Sequence, residues 1–144
     1  MKFSTLLALP LFAASALAQS IQIGAPAAGT SVSPGSSLVV EVDRPNSLTG
    51  SQEVAIVIAL DSCSSSGGCR PPSDVLGNIL YSGGFNPEYS TPADGKPPHQ
   101  NFTVQIPSGA QSGTNLLTVT HFSLVGAGPY PLFEYRNITL NIAA

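Results

Sequence analysis

Two cysteines, two histidines and eight carboxylates, together with many serines, are the residues of this 144-residue chain equipped for redox, metal, acid–base or nucleophilic chemistry. Cys63 and Cys69 bracket the run Ser64-Ser65-Ser66-Gly67-Gly68. In an oxidising compartment so short and flexible a loop favours a disulfide, whose loop closure stabilises the fold by about 2 kcal/mol. A redox or zinc role would need a Cys-x-x-Cys pair or further ligands, and the sequence has neither. His99 falls in a Pro-rich stretch and His121 on an expected strand, with no His-x-His or His-x-x-x-His spacing, so no metal site is expected. No Gly-x-Ser-x-Gly elbow accompanies the serines. A glycosidase-like carboxylate pair would have to come from Glu41, Asp43, Glu53, Asp61, Asp74, Glu88, Asp94 and Glu134. Most of these sit in loops or beside turns, where solvated charge is the ordinary role. The expectation is therefore a chain with no catalytic residue, no metal and no cofactor.

Six of the ten aromatic residues gather in two regions, Tyr81, Phe85 and Tyr89, then Tyr130, Phe133 and Tyr135. Exposed aromatics anchor partners or stack on sugar rings, which makes Tyr89, Tyr130 and Phe133 the candidate partner-binding residues. The plainer reading packs Phe85 and Phe133 under long loops and leaves the tyrosines half-buried with wet hydroxyls. Absence of Trp weakens the sugar-platform version.

These groups must be positioned by strands. From Ile21 onward, short runs carry apolar residues at every second position between clusters of Gly, Pro, Asn and Ser, the period of half-buried strands. Ile21 and Ile23 open the first run. Leu38, Val40 and Val42 share a face opposite Val39 and Glu41. The run Val54 to Leu60 is apolar throughout, as a central strand covered on both faces would be. Ile79 to Tyr81 is short, Ser82 to Gln100 is too rich in Pro, Gly and Asn for a core strand, and Phe102, Val104 and Ile106 alternate with polar neighbours. Leu116 to Leu124 and Asn137 to Ile142 complete the set. The expected fold class is all-β: a small immunoglobulin-like or fibronectin-like sandwich of about seven strands. Alternation also tests the acceptor sequences Asn101-Phe102-Thr103 and Asn137-Ile138-Thr139. In each the apolar middle residue takes the buried face, so Asn101 and Asn137 point outward as N-glycosylation sites.

A charged start, an apolar run from Thr5 to Leu17 and the Ala16-Leu17-Ala18 cleavage pattern mark residues 1–18 as a signal peptide, leaving 19–144 as one domain. The apolar run is too short to span a bilayer, and the end Asn-Ile-Ala-Ala lacks a lipid-anchor tail, so a secreted, extracellular protein is expected. Copper-dependent polysaccharide oxygenases need His as the first mature residue, whereas Gln19 is first here, which excludes that class at the level of sequence. Only 9% of residues are charged, against about 25% in an ordinary soluble domain. The net charge of -3 argues against nucleic acid and anionic lipid as partners.

Asp43-Arg44-Pro45-Asn46, the Cys63–Cys69 loop, Pro98-His99-Gln100-Asn101-Phe102-Thr103 and His121-Phe122-Ser123-Leu124-Val125-Gly126-Ala127 together resemble the necrosis-inducing (Nis1-type) family of small secreted fungal effectors. The resemblance covers most of the mature chain. It implies a host-protein partner, with suppression of plant pattern-triggered immunity through receptor-associated kinases or induction of cell death, and no enzyme activity or cofactor. A competing resemblance joins Gly24-Ala25-Pro26 and Ser33-Pro34-Gly35 to fungal cell-wall β-sandwich domains of the glucan-assembly type, implying a wall-polysaccharide partner. The expected binding surface is made by the segments 61–74, 85–99 and 126–133. Mass spectrometry of the N-terminal peptide of secreted protein should place the mature start at Gln19; a start retaining the apolar run would overturn the leader assignment.

Overall fold

Residues 20–63 and 68–144 are described by the structure, a computed structural model; the expected signal peptide and Ser64–Gly67 lie outside the described residues. Eight strands follow in chain order: β1 Gln22–Ala25, β2 Thr30–Val32, β3 Ser37–Asp43, β4 Ser51–Ser62, β5 Asn78–Gly83, β6 His99–Gln105, β7 Gly113–Val125 and β8 Tyr130–Ile142. No helix occurs among the described residues. The strands form two sheets, β1-β3-β6 and β2-β8-β7-β4-β5, whose apolar faces meet in a sandwich. All pairings are antiparallel except β2 with β8. The fold class is thus the one its alternation predicts, and the extra strand is the three-residue β2.

Period-two burial builds the core. Val40 and Val42 of β3 and Phe102 and Val104 of β6 face Ile56, Ile58 and Leu60 of β4, Leu117 and Val119 of β7 and Leu140 and Ile142 of β8. Ile21 closes one margin at 0% exposure. Side chains of this size each gain about 1.5–3 kcal/mol from full burial. Phe85, from the irregular segment after β5, also enters the core and packs near Phe102, with ring centroids 6.3 Å apart.

Two expectations are corrected. β4 is the central strand between β5 and β7 that the run suggests, but its two faces are covered unequally: Ile56, Ile58 and Leu60 are buried in the core, while on the outer face only the Ala59 end is buried, Val57 is half-buried and the bulged Val54 is 41% exposed. An unbroken apolar run reads as two-sided burial, but small and β-branched residues also suit an open sheet face. His99 is not in the loop but opens β6, pairing with Asp43 and bridging to Glu88 across the Pro-rich segment.

Cys63 and Cys69 are disulfide-bonded just beyond β4. From there the chain returns to β5 through Gly77, which has φ +78° and lies so close to the Leu60 carbonyl and Asp61 that an added Cβ would overlap both. Replacing Gly77 by Ala is expected to cost about 2–4 kcal/mol from left-handed strain plus overlap, while Gly109→Ala, in open space, stays within about 0.5 kcal/mol. Urea midpoints of the two variants check this, and equal midpoints would show that the turn relaxes freely.

Candidate functional site

Strand direction gathers three loops at one end of the sandwich. β3, β5 and β7 run toward that end and β4, β6 and β8 run away from it, so the segments 44–50, 84–98 and 126–129 emerge side by side. Sandwich folds use such clustered loops for recognition. The 44–50 loop sits between the others. Gly126 N–H donates to the Gly50 carbonyl at 2.9 Å, and the Asn46 amide donates to the Tyr89 hydroxyl. Arg44 N–H donates to the Pro98 carbonyl at 2.7 Å.

Beneath this end lies a buried ionic network. His121 of β7 has 0% exposure and is held by a carboxylate at each ring nitrogen: Glu134, its cross-strand neighbour on β8, at 3.1 Å from Nδ1, and Glu53 of β4 at Nε2. Two ionised carboxylates accept from both nitrogens only when the ring carries both protons, so the geometry describes an imidazolium. Arg44 Nε donates to Glu53 Oε1 at 3.1 Å, its Nη2 donates to Ser51 Oγ at 2.8 Å, and its side chain is 7% exposed. Glu134 Oε1 also accepts the Ile21 backbone N–H at 3.0 Å, tying the start of the chain's first sheet to the second. Arg136 approaches Glu134 Oε2 at 3.4 Å. Two buried cations therefore face two buried anions. Phe85 closes the assembly from the loop side, edge-on to His121 at 5.5 Å.

A β-bulge in β4 makes this network possible. Glu53 pairs with Ser123 and Ala55 with Phe122, which leaves Val54 as the extra residue. Without the bulge, Val54 would share the inward face of Ile56 and Ile58; with it, Glu53 turns in to His121 and Val54 turns out.

Burial alone would raise the pKa of Glu53, but hydrogen bonds from His121 and Ser51, the His121 charge and the Arg44 bond hold it down at about 2. Glu134 is likewise held below the ordinary carboxylate range: burial opposes, and the hydrogen bonds from His121 and Ile21 prevail. For His121, burial would depress the imidazolium, yet the hydrogen bonds to Glu134 and Glu53 and their charges lift its pKa above the usual value. With both ring nitrogens engaged and no solvent contact, His121 acts as a strut between strands.

A cleft of about 440 Å³ opens over the network, lined among others by Arg44, Asn46, Ser51, Glu53, Phe85 and Pro98. Around this end Leu48, Tyr89 and Tyr130 stand exposed. A second polar cluster covers the outer face of β3. Lys96 binds both oxygens of Glu41 at 2.8 Å, and Gly24 leaves the space that the Glu41 and Asp43 carboxylates fill. Burial, reinforced by the neighbouring Glu41 charge, raises the Asp43 pKa. Among the described residues no group of three or more His, Cys, Asp or Glu side chains is disposed to hold a metal ion.

Of the residues singled out in the sequence, the structure brings Tyr89 and Tyr130 to the loop end and leaves Phe133 apart, 65% exposed on the outer face of β8 beside Tyr135. Phe85 is buried, but Phe133 is not packed under any loop. Asn101 and Asn137 are both exposed, as are Thr103 and Thr139. The segment 61–74 is corrected: it lies at the opposite end of the sandwich from the other two expected binding segments, and Asp61 there is buried in a two-point ion pair with Arg70. Also corrected is the reading of the carboxylates as solvated loop charge, since Glu41, Asp61, Glu53 and Glu134 are all strand residues and mostly buried. Sequence reasoning missed the network because its members are far apart in the chain. The one available signal was a charged residue at an inward position of an alternating strand, as at Glu134.

The profile of the Nis1 family matches residues 16–141 of this chain. No curated protein matches it in sequence. In three dimensions, the crystal structure of a cellulose-active polysaccharide monooxygenase from M. thermophila is similar, with a TM-score of 0.51 at 13% identity, over 82% of this chain. The chain spans 55% of that protein's length, and at this identity the likeness concerns the sandwich fold alone.

Stability should peak where both halves of the network are charged. The raised His121 pKa contributes stability that is complete below the ordinary value of 6.5 and is lost as pH rises through the raised value. Depressed Glu53 contributes stability that is complete above 4.5 and is lost as pH falls toward about 2. Urea unfolding across pH 3–10 should thus show a maximum near pH 5–6, and His121→Gln should flatten the alkaline limb. His121→Ala, which leaves two carboxylates buried without their cation, should cost about 3–5 kcal/mol at pH 6. An alkaline limb unchanged in His121→Gln would mean that the histidine is neutral in the fold.

Proposed function

The chain belongs to the Nis1 family, and on that premise we propose that it is a secreted, non-enzymatic effector that binds a host protein through the loop end formed by 44–50, 84–98 and 126–130. The observation that carries this reading is the exposure of Leu48, Tyr89 and Tyr130 on the loop end that also bears the cleft over Arg44 and Glu53, two side chains fixed by the bonds of the Arg44–Glu53–His121–Glu134 network. Large apolar side chains on a preorganised base lose little freedom on binding, which is the property of interface anchors. The fold of a sandwich leaves function to its loops, so likeness to an enzyme of the same architecture brings no activity with it. The family resemblance supplies the partner class: cytoplasmic domains of plant receptor-associated kinases.

Binding of purified mature protein to such kinase domains, with insoluble chitin and β-glucan as the competing baits, tests the proposal. Each of Leu48→Asp, Tyr89→Ala and Tyr130→Ala should weaken kinase binding by about 30-fold while leaving the melting temperature within about 2 °C. Retention on wall polysaccharide with no kinase binding would instead make the protein a wall-binding module. Binding unaffected by all three substitutions would remove the loop end as the contact surface.

A further inference from the structure

The outer face of β8 carries Phe133, Tyr135, Asn137 and Thr139 in consecutive outward positions, and all four are exposed. Phe133 and Tyr135 meet edge to face at 6.5 Å, the spacing of alternate residues on a strand. Asn137 and Thr139 are the acceptor pair of an Asn-x-Thr sequence. An aromatic ring therefore lies two residues before a glycan-acceptor asparagine, on the same face, with the acceptor threonine two residues after it.

We propose that Asn137 carries an N-linked glycan whose first N-acetylglucosamine lies on the ring of Tyr135, so that Tyr135, backed by Phe133, is a built-in platform for the protein's own sugar. The C–H-bearing face of a pyranose is apolar and complements the negative face of an aromatic ring. A sugar bonded to Asn137 spans the ~6.6 Å to the neighbouring outward position without any strand movement. Space is available on one side. Toward β7 the outward neighbour of Asn137 is Thr118, almost completely buried, so the surface there is already covered and the sugar is directed along β8 toward Tyr135. On the other side, β2 pairs with β8 only from Leu140 to Ile142, which leaves the edge of β8 from Tyr130 to Ile138 without a strand partner among the described residues. A glycan there covers two exposed aromatics and shields a long bare strand edge, the feature through which sheets join to one another. It also leaves the loop end free.

Asn101 is the internal control. Its position two residues earlier is His99, a half-buried imidazole held at its ring nitrogens by the Pro97 carbonyl at 2.9 Å and by Ser90, in place of an exposed phenol ring.

The full chain is expressed with its own leader in a glycosylating yeast, trimmed enzymatically to one N-acetylglucosamine per site, and compared with Asn137→Gln, Tyr135→Ala and the double variant. Glycopeptide mass spectrometry should show Asn137 occupied in the wild type, with occupancy at Asn137 but not at Asn101 falling in Tyr135→Ala. Asn137→Gln should lower the melting temperature by about 3 °C in the wild-type background and by under about 1 °C in the Tyr135→Ala background. Tyr135→Phe should retain the wild-type pattern. Tyr135→Leu, which keeps the bulk without the π face, should behave as the alanine variant and serves if that variant does not fold. An Asn137 that stays unmodified while Asn101 is occupied overturns the proposal, as does an equal loss in both backgrounds. Both sites bare overturns it as well.

Discussion

Everything at the loop end hangs on a histidine that has lost all contact with water. An imidazolium taken out of solvent is tolerated only if its charge and both its N–H groups are met, and Glu53 and Glu134 meet them from the strands on either side of β7. Those carboxylates then need their own partners. Arg44 supplies one and thereby fixes where the 44–50 loop leaves β3; the Ile21 N–H supplies another and pins the beginning of the opposite sheet. Phe85 covers the ring and so brings the 84–98 loop down onto the core. One buried charge thus sets the positions of three otherwise unrelated segments. Such a network adds little net stability over an apolar core of equal volume, but breaking it is expensive, which makes its geometry hard to vary.

The division of labour across the surface follows from this. The network end is fixed below and varied above, with a cleft over Arg44 and Glu53 and exposed Leu48, Tyr89 and Tyr130 on the same end. At the far end the chain is closed by the Cys63–Cys69 disulfide and the Asp61–Arg70 ion pair, features that organise a turn. The outer face of β8 is a third region, distinguished by two neighbouring aromatics and a glycan-acceptor sequence. Proposed partner binding and proposed sugar packing use different parts of the molecule, so neither obstructs the other.

The sandwich shared with a polysaccharide monooxygenase illustrates how little architecture says about chemistry. Two stacked sheets solve the problem of burying alternating apolar faces, and that solution serves enzymes and binding proteins alike. In this chain the inward positions near the loop end hold an ion network in which both nitrogens of the histidine are already engaged. Those bonds join β7 to the strands on either side.

By itself the sequence determined what depends on neighbours in the chain. Period-two alternation at Val40 and Val42, at Phe102 and Val104, and at Leu140 and Ile142 gave the strands, the class of fold and the outward direction of Asn101 and Asn137, because side-chain direction in a strand is a local property. Cysteine spacing gave the disulfide for the same reason. Tertiary structure alone decided what depends on register between strands. Nothing local announces that a bulge at Val54 turns Glu53 inward, that β7 places His121 opposite Glu134, or that 61–74 and 85–99 emerge at opposite ends. Glu53 and His121 are 68 residues apart in the chain. Their meeting is set by how distant strands pair, and a charge that looks solvated in sequence becomes buried only when that pairing supplies its counter-charge.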